Sequence, residues 1–326
     1  MKTLTNRFNL PMSMAVFLAA DDYDGPQAEE GVKVISATSL LKSTRQVVLG
    51  FRLPEETFVD VSDLISSRMG QAYHTAVEHA WLTNLQKSLE SLGYPKRLRD
   101  AIVVNPEPGT DLKNKVPVYL EQRAEKKIAG WVISGKFDLI VDGVLEDVKS
   151  TSTYTYERQT NKDRYSQQGS IYKWLNPDLI TSDHIQINYI FTDWTARYSS
   201  KQGYPPLKIH AQKIPLMSVK ETENFIKSKL REIDKYLEAD EYQIPLCSDE
   251  DLWRSEAKWQ YWSNPNNKQA TKNFDSLLEA NTHLLSKGNK GVVIKKEGEV
   301  KACKYCPVFN LCSQKDSLIQ SGELKL

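Results

Sequence analysis

The chain has 326 residues, of which 40% are hydrophobic and 26% charged, with a formal net charge of +1. That length suffices for a large buried core, while the near-neutral balance excludes nucleic-acid binding by a general positive field; such binding needs a local basic groove. No apolar run approaches the ~18 residues of a membrane span, so a membrane is not expected among its partners.

Lys2 and Arg7 ahead of the apolar residues 12–20 imitate a secretory signal. The same residues also read as an N-terminal helix, stopped by Asp21, Asp22 and the turn Asp24-Gly25-Pro26. Residues 36–53 read as a second helix, ended before Pro54, and Ser62 as the cap of a long helix reaching Leu92 and closed by Gly93. A loop rich in Pro, Gly, Asp and Asn follows over 106–117. From 118 to 148 the pattern becomes strand-like, and Asp142-Gly143 between two apolar runs marks a two-residue hairpin. A helix is predicted over 163–175, strands over 185–192 and 207–214, and a helix over 219–236. This order implies an α/β protein with a mixed central sheet flanked by helices. The division expected is a core over 1–240 and an extension over 241–326 that ends in a hairpin near Lys301.

All four cysteines lie in that extension: Cys247, Cys303, Cys306 and Cys312. A secreted disulfide scaffold would spread its bridges through a small domain, so a metal site in a reducing cytoplasm is the better reading. Three clustered thiolates and one distant one suit an iron–sulfur or a zinc site; buried unliganded thiols are the plainer alternative.

The most informative stretch is Gly135-Lys136-Phe137-Asp138, followed across the hairpin by Asp147-Val148-Lys149. Residues two apart on a strand share a face, so Asp147 and Lys149 point the same way and Asp138 faces them from the partner segment. Two carboxylates held together repel unless a cation lies between them, and oxygen-rich sites suit Mg²⁺ or Mn²⁺. A lysine beside them can offset charge on a phosphate. The ordinary alternative is a solvated hairpin face.

Further residues extend the pattern: Gly70-Gln71-Ala72-Tyr73-His74 upstream, and Gln168-Gly169-Ser170-Ile171-Tyr172 on the next helix. Together these four blocks resemble, in order and spacing, the PD-(D/E)XK nuclease superfamily and its RecB-type branch. The resemblance covers roughly residues 60–215; more loosely, the whole chain is similar to exonucleases of tailed phages, including Ile35-Ser36-Ala37-Thr38-Ser39-Leu40-Leu41. It implies a restriction-endonuclease-like fold and metal-assisted hydrolysis of DNA in replication, recombination or breakdown of host DNA, in the bacterial cytoplasm. Replication or recombination proteins would be its further partners.

Carried onto this chain, the resemblance makes Asp138, Asp147, the Val148 carbonyl and His74 metal ligands. Lys149 would position the attacking water, with Gln168 and Tyr172 steadying it. For His74 a half-buried helix histidine is the ordinary alternative. The Cys303–Cys306–Cys312 spacing resembles the C-terminal block of RecB-type iron–sulfur nucleases, implying a [4Fe–4S] cluster with Cys247, or zinc in its place. In that group the first cysteine precedes the nuclease core, whereas Cys247 follows it. Arg158, Lys162, Arg164 and Lys173, interleaved with Tyr154, Tyr156 and Tyr165, form a candidate DNA track or else a mixed solvated surface. The competing functions on the same fold are non-catalytic DNA binding and zinc-dependent regulation.

Overall fold

The computed structural model describes residues 2–21, 25, 31–54 and 57–326. Asp22, Asp24 and Pro26, read above as helix-stopping residues, lie outside this set. The chain forms two compact units: Met1–Leu41 with Glu55–Glu232, and Lys42–Pro54 with Ile233–Leu326. The second unit thus starts eight residues earlier than the boundary drawn from composition and takes in a segment near the N-terminus.

The first unit is mixed α/β. Its main sheet has six strands in the order Ile209–Pro215, His184–Phe191, Val144–Thr151, Leu139–Val141, Val116–Leu120 and Ile102–Val104. The second and third of these are parallel, as are the last two; the other pairs are antiparallel. A three-stranded sheet places Trp131–Lys136 between Lys33–Ser36 and Arg123–Ile128. The strand His184–Phe191 shows why the sequence chooses this form: Ile185, Ile187, Tyr189 and Phe191 are buried at period two.

Asp142 and Gly143 both have positive φ, 47° and 78°, which gives the turn a twist matched to its strands and pairs Val141 with Val144. That pairing sets the register of Asp147 and Lys149. The helix Lys162–Leu175 lies on the sheet through Tyr165, Ile171, Tyr172, Trp174 and Leu175. The helix Val219–Tyr236 has the predicted bounds.

Other expectations are corrected. The helix read over 36–53 is two helices, Ala37–Leu40 and Thr44–Phe51, because Ser43 accepts the Gln46 N–H and starts the second afresh. The long helix is not capped by Ser62; Asp60 accepts both the Ser62 N–H and its hydroxyl. A 3₁₀ turn, Val61–Leu64, then leads into Ile65–Thr83, and the chain breaks at Asn84 before Leu85–Ser91. A short helix, Thr153–Arg158, precedes Lys162–Leu175 and went unpredicted.

In the second unit the expected terminal hairpin is a three-stranded antiparallel sheet. Lys258–Trp262 lies between Lys272–Phe274 and Val292–Lys296, with the helix Leu277–Ser286 inserted in the connection. A core of Leu252, Val300, Leu318 and Leu324 packs against Cys247, Cys303 and Phe309. No helix among the described residues is long and apolar enough to cross a membrane.

Candidate active site and cysteine centre

Three elements of the first unit deliver the predicted residues to one place. Asp147 and Lys149 leave the same face of Val144–Thr151. Asp138 sits at the bend just before Leu139–Val141, where its carboxylate accepts the Val148 N–H at 3.3 Å. His74 arrives from Ile65–Thr83 and holds Asp138 Oδ2 at 2.9 Å through Nδ1.

The two carboxyls meet closely enough to hydrogen-bond each other. Asp147 is only 3% exposed. Burial, with Asp138 adding to it against the pull of Lys149, pushes its pKa up to about 7. Burial opposes ionisation of Asp138 too, but hydrogen bonds from His74 and Asp147 outweigh it and hold Asp138 at about 2. Asp138 therefore stays ionised at neutral pH, while Asp147 keeps its proton to a far higher pH than an ordinary carboxyl. Lys149 pairs with Asp147, its Nζ 2.9 Å from Oδ1 and 2.6 Å from Oδ2, and the two acidic charges raise its pKa despite burial. Asp147 Oδ2 nevertheless receives no properly directed hydrogen bond.

Glu121 was missed by sequence reasoning. It occupies a left-handed position, φ 50°, at the end of Val116–Leu120, and its N–H donates to the Asp138 carbonyl at 2.9 Å. His74, Glu121 and Asp138 each offer a ligand atom within 4.8 Å of the others. Burial raises the Glu121 pKa, opposed by Lys136 at 2.8 Å. A single acid ending an unremarkable strand carries no signal in one sequence; only the fold brings it to His74.

Gln168 and Tyr172 share the buried face of their helix, with Gln168 Nε2 donating to the Tyr172 hydroxyl at 3.3 Å. Burial, and then the charge of Asp147, raises the Tyr172 pKa. Gly135 makes this possible: a Cβ there would lie 2.6 Å from Leu175 and 2.9 Å from the Tyr172 ring.

The candidate DNA track divides. Arg158 and Lys162 are exposed, whereas Arg164 is half-buried. Lys173 is committed elsewhere, its ammonium donating to the Ser182 carbonyl at 2.5 Å. Tyr165 is buried beneath Lys149, 5.9 Å from Nζ to ring centroid, so its face is not offered to a base. Tyr156 donates or accepts with His210 at 3.1 Å and packs on Tyr189 and Phe191. Tyr154 remains exposed.

In the second unit Cys247, Cys303, Cys306 and Cys312 line one cavity, and none is in a disulfide. Burial raises the thiol pKa of Cys303 to about 11 and also lifts that of Cys247. Residues near the start of Thr44–Phe51 reach three of the sulfurs: Ser43 lies 3.2 Å from Cys247, Arg45 Nε donates to Cys312 at 3.2 Å, and Gln46 donates to Cys306 at 3.6 Å.

No family model matches the chain, and no curated protein matches it. Among solved structures it is similar to one titled "Crystal structure of SSO0001". The two are 14% identical, the match covers 64% of this chain and 79% of that one, and the TM-score is 0.37. A likeness of that size carries no argument about activity. By its own architecture, the chain is a mixed α/β protein with an acidic, lysine-bearing site in one unit and four cysteines around a cavity in the other.

Proposed function

We propose that the chain is a divalent-metal-dependent deoxyribonuclease of the PD-(D/E)XK kind, acting as an exonuclease on DNA in a phage-type replication, recombination or host-degradation pathway within the cytoplasm. The observation that carries this reading is the buried pairing of Asp138 with Asp147 beside Lys149. Two buried acids of which one keeps its proton are a site where a cation can replace that proton. The residues present fit an ion: Asp138, Glu121 and His74 each offer a ligand atom within 4.8 Å of the others, and the buried Asp147 carboxylate, paired with Lys149, lies next to Asp138. A mixed oxygen and imidazole donor set suits Mn²⁺ or Mg²⁺.

Asp138, Asp147, His74 and Glu121 would hold the ion, with the Val148 carbonyl as a further candidate. When bound, the ion supplies positive charge against a phosphodiester and makes nearby water more acidic. The protein's own groups do the rest. Lys149, kept protonated by the two acids, offsets negative charge that grows on phosphorus oxygens. Tyr172, un-ionised through burial, holds its place through Gln168, and the ring over the lysine is that of Tyr165. Arg158 and Lys162, exposed beyond the site on the same stretch of chain, are candidates to bind the strand's phosphates.

The cysteines are assigned to a structural [4Fe–4S] cluster. Four unpaired thiols around one cavity, with hydrogen-bond donors on three of them, fit such a group. Zinc, at about 2.3 Å from each thiolate, would gather the sulfurs to ~3.8 Å apart.

The deciding experiment gives end-labelled linear DNA and closed circular DNA to the protein with Mn²⁺, Mg²⁺ or chelator. Release of nucleotides from linear DNA alone, dependent on metal and absent in Asp138→Ala, is the expected result. Metal-independent binding without cleavage in either substrate would overturn the enzyme reading.

A further inference from the structure

One cysteine, Cys247, lies far in sequence from the cluster Cys303, Cys306 and Cys312, yet side chains from one short stretch, residues 43–46, reach three of the four sulfurs. We propose that Ser43, Arg45 and Gln46 are the donor shell of the thiolate centre, with Arg45 its buried counter-cation. The inference rests on the assignment of a metal group to these cysteines and adds which residues outside the cysteine motif retain it.

The direction of each hydrogen bond supports the role. Ser43 Oγ accepts the Gln46 N–H at 3.1 Å and lies 3.2 Å from Cys247 Sγ, to which its own proton can be given when that sulfur is a thiolate. Gln46 offers an amide N–H, and Arg45 a guanidinium Nε–H, neither of which can accept. A thiol sulfur is a poor acceptor, whereas a thiolate bound to a metal is a good one. Three donors turned onto three sulfurs are therefore arranged for thiolates.

Charge makes the same point. Arg45 is 1% exposed and its remaining nitrogens are fully occupied: Nη1 donates to the Ile244 carbonyl at 2.9 Å, and Nη2 to Ser313 Oγ at 3.2 Å and to the Glu241 carboxylate. That leaves Nε for Cys312. Four thiolates around a dipositive group carry two net negative charges, and a buried centre of that charge needs cations at hand. The neighbouring Glu241 only neutralises Arg45 from the far side, so Arg45 acts as a bridge between a half-exposed acid and a buried anionic centre.

The test uses the full chain purified without oxygen. Iron, sulfide and zinc are first counted in the wild type, which judges the metal assignment. Metal loss to excess chelator is then timed in wild type, Arg45→Gln, Arg45→Lys, Ser43→Ala and Gln46→Leu, with thermal unfolding of the first unit's Asp138 site followed by Mn²⁺ affinity. Arg45→Gln should lose metal ~10–100-fold faster, as for removal of a group that orients a metal ligand. Ser43→Ala and Gln46→Leu should each lose it roughly fivefold faster, the net worth of one hydrogen bond. Arg45→Lys, which keeps the charge without the Nε geometry, should fall between. In iron-loaded protein the reduction potential should also drop in Ser43→Ala and Gln46→Leu, a shift that a merely structural contact would not produce.

Should Arg45→Gln fail to fold, the Ser43 and Gln46 variants decide alone. Wild-type loss rates in both would overturn the donor shell, even with a full complement of iron. Zinc without iron in the wild type would overturn the cluster assignment while leaving the shell to be judged by its loss rates. A wild type that binds neither metal would overturn both.

Discussion

His74 Nδ1 lies 2.9 Å from Asp138 Oδ2, and this contact joins a helix near the start of the chain to the bend that opens the central hairpin. It fixes the protonation pattern around it. Asp138 stays ionised through its hydrogen bonds, so the proton of the pair resides on Asp147, and His74 is itself held above its usual pKa by Asp138 although burial opposes this.

The first prediction follows from that pattern. Metal must displace the proton on Asp147, whose pKa lies at about 7. His74, a further proposed ligand whose pKa is also raised, must lose its proton too, so apparent Mn²⁺ affinity should rise ~10-fold per pH unit for each of these two groups still protonated and level off once both have titrated. Calorimetric titration from pH 5.5 to 8.5 measures this; a flat profile would remove Asp147 as a ligand.

Metal-free stability should run the other way. A carboxyl whose folded pKa is raised stabilises the fold below its unfolded value near 4, and this contribution is lost as pH rises through about 7. His74, also raised, contributes stability below its unfolded value that is likewise lost as pH rises. Chelator-treated protein should thus melt at a lower temperature at pH 8 than at pH 5. Asp147→Asn should flatten most of that slope, which urea titrations at several pH values would reveal.

Glu121→Gln keeps the shape and the Asp138 backbone contact but removes a charged ligand. It should weaken Mn²⁺ binding by ~10–100-fold while the fold persists. Unchanged affinity in calorimetry would confine the ion to Asp138, Asp147 and His74.

Lys149→Met should reduce cleavage by ~10²–10³ with Mn²⁺ saturating, the usual loss when one charge-stabilising donor is removed. Its metal affinity at pH 8 should change far less than its rate, because a protonated amine is no ligand. Proportional falls in both would recast Lys149 as a support for Asp147.

Gly135→Ala tests the packing behind the site. Its added methyl meets Leu175 and the Tyr172 ring at under 3 Å, so the helix Lys162–Leu175 must shift. A destabilisation of ~1–3 kcal/mol is expected, together with weakened activity as the Gln168–Tyr172 pair is displaced. Denaturant midpoints and turnover measured on one preparation would show whether the two effects travel together.

How much of this was legible beforehand depended on how local the cause was. The Asp142-Gly143 turn is decided by two residues, so the hairpin and the common face of Asp147 and Lys149 could be read directly. The helix Val219–Tyr236 was legible from its periodicity and clean ends. The break before Thr44 was not, because the polar run Lys42 to Gln46 can equally be carried by a continuous helix, and only the Ser43 side chain, by accepting the Gln46 N–H, starts the second helix afresh. Glu121 and Arg45 were invisible for a different reason. Their meaning arises from partners 47 residues and more away, His74 for one and Cys312 for the other, and a single sequence records no such meeting.

Arg45 and Cys312 are separated by 267 residues. At a synthesis rate of ~5–20 residues per second, roughly 13 to 50 seconds pass between the emergence of one and of the other. The partners of the segment Lys42–Pro54 at residues 236–244 are made part-way through that interval, but Cys312 and Ser313 only at its end. Assembly of the second unit is therefore completed only once residues 303–313 have been made. A chain ending at residue 240 would leave Arg45 without its carbonyl, hydroxyl and sulfur acceptors. The natural cut points of this protein are spatial and do not coincide with any single position along its sequence.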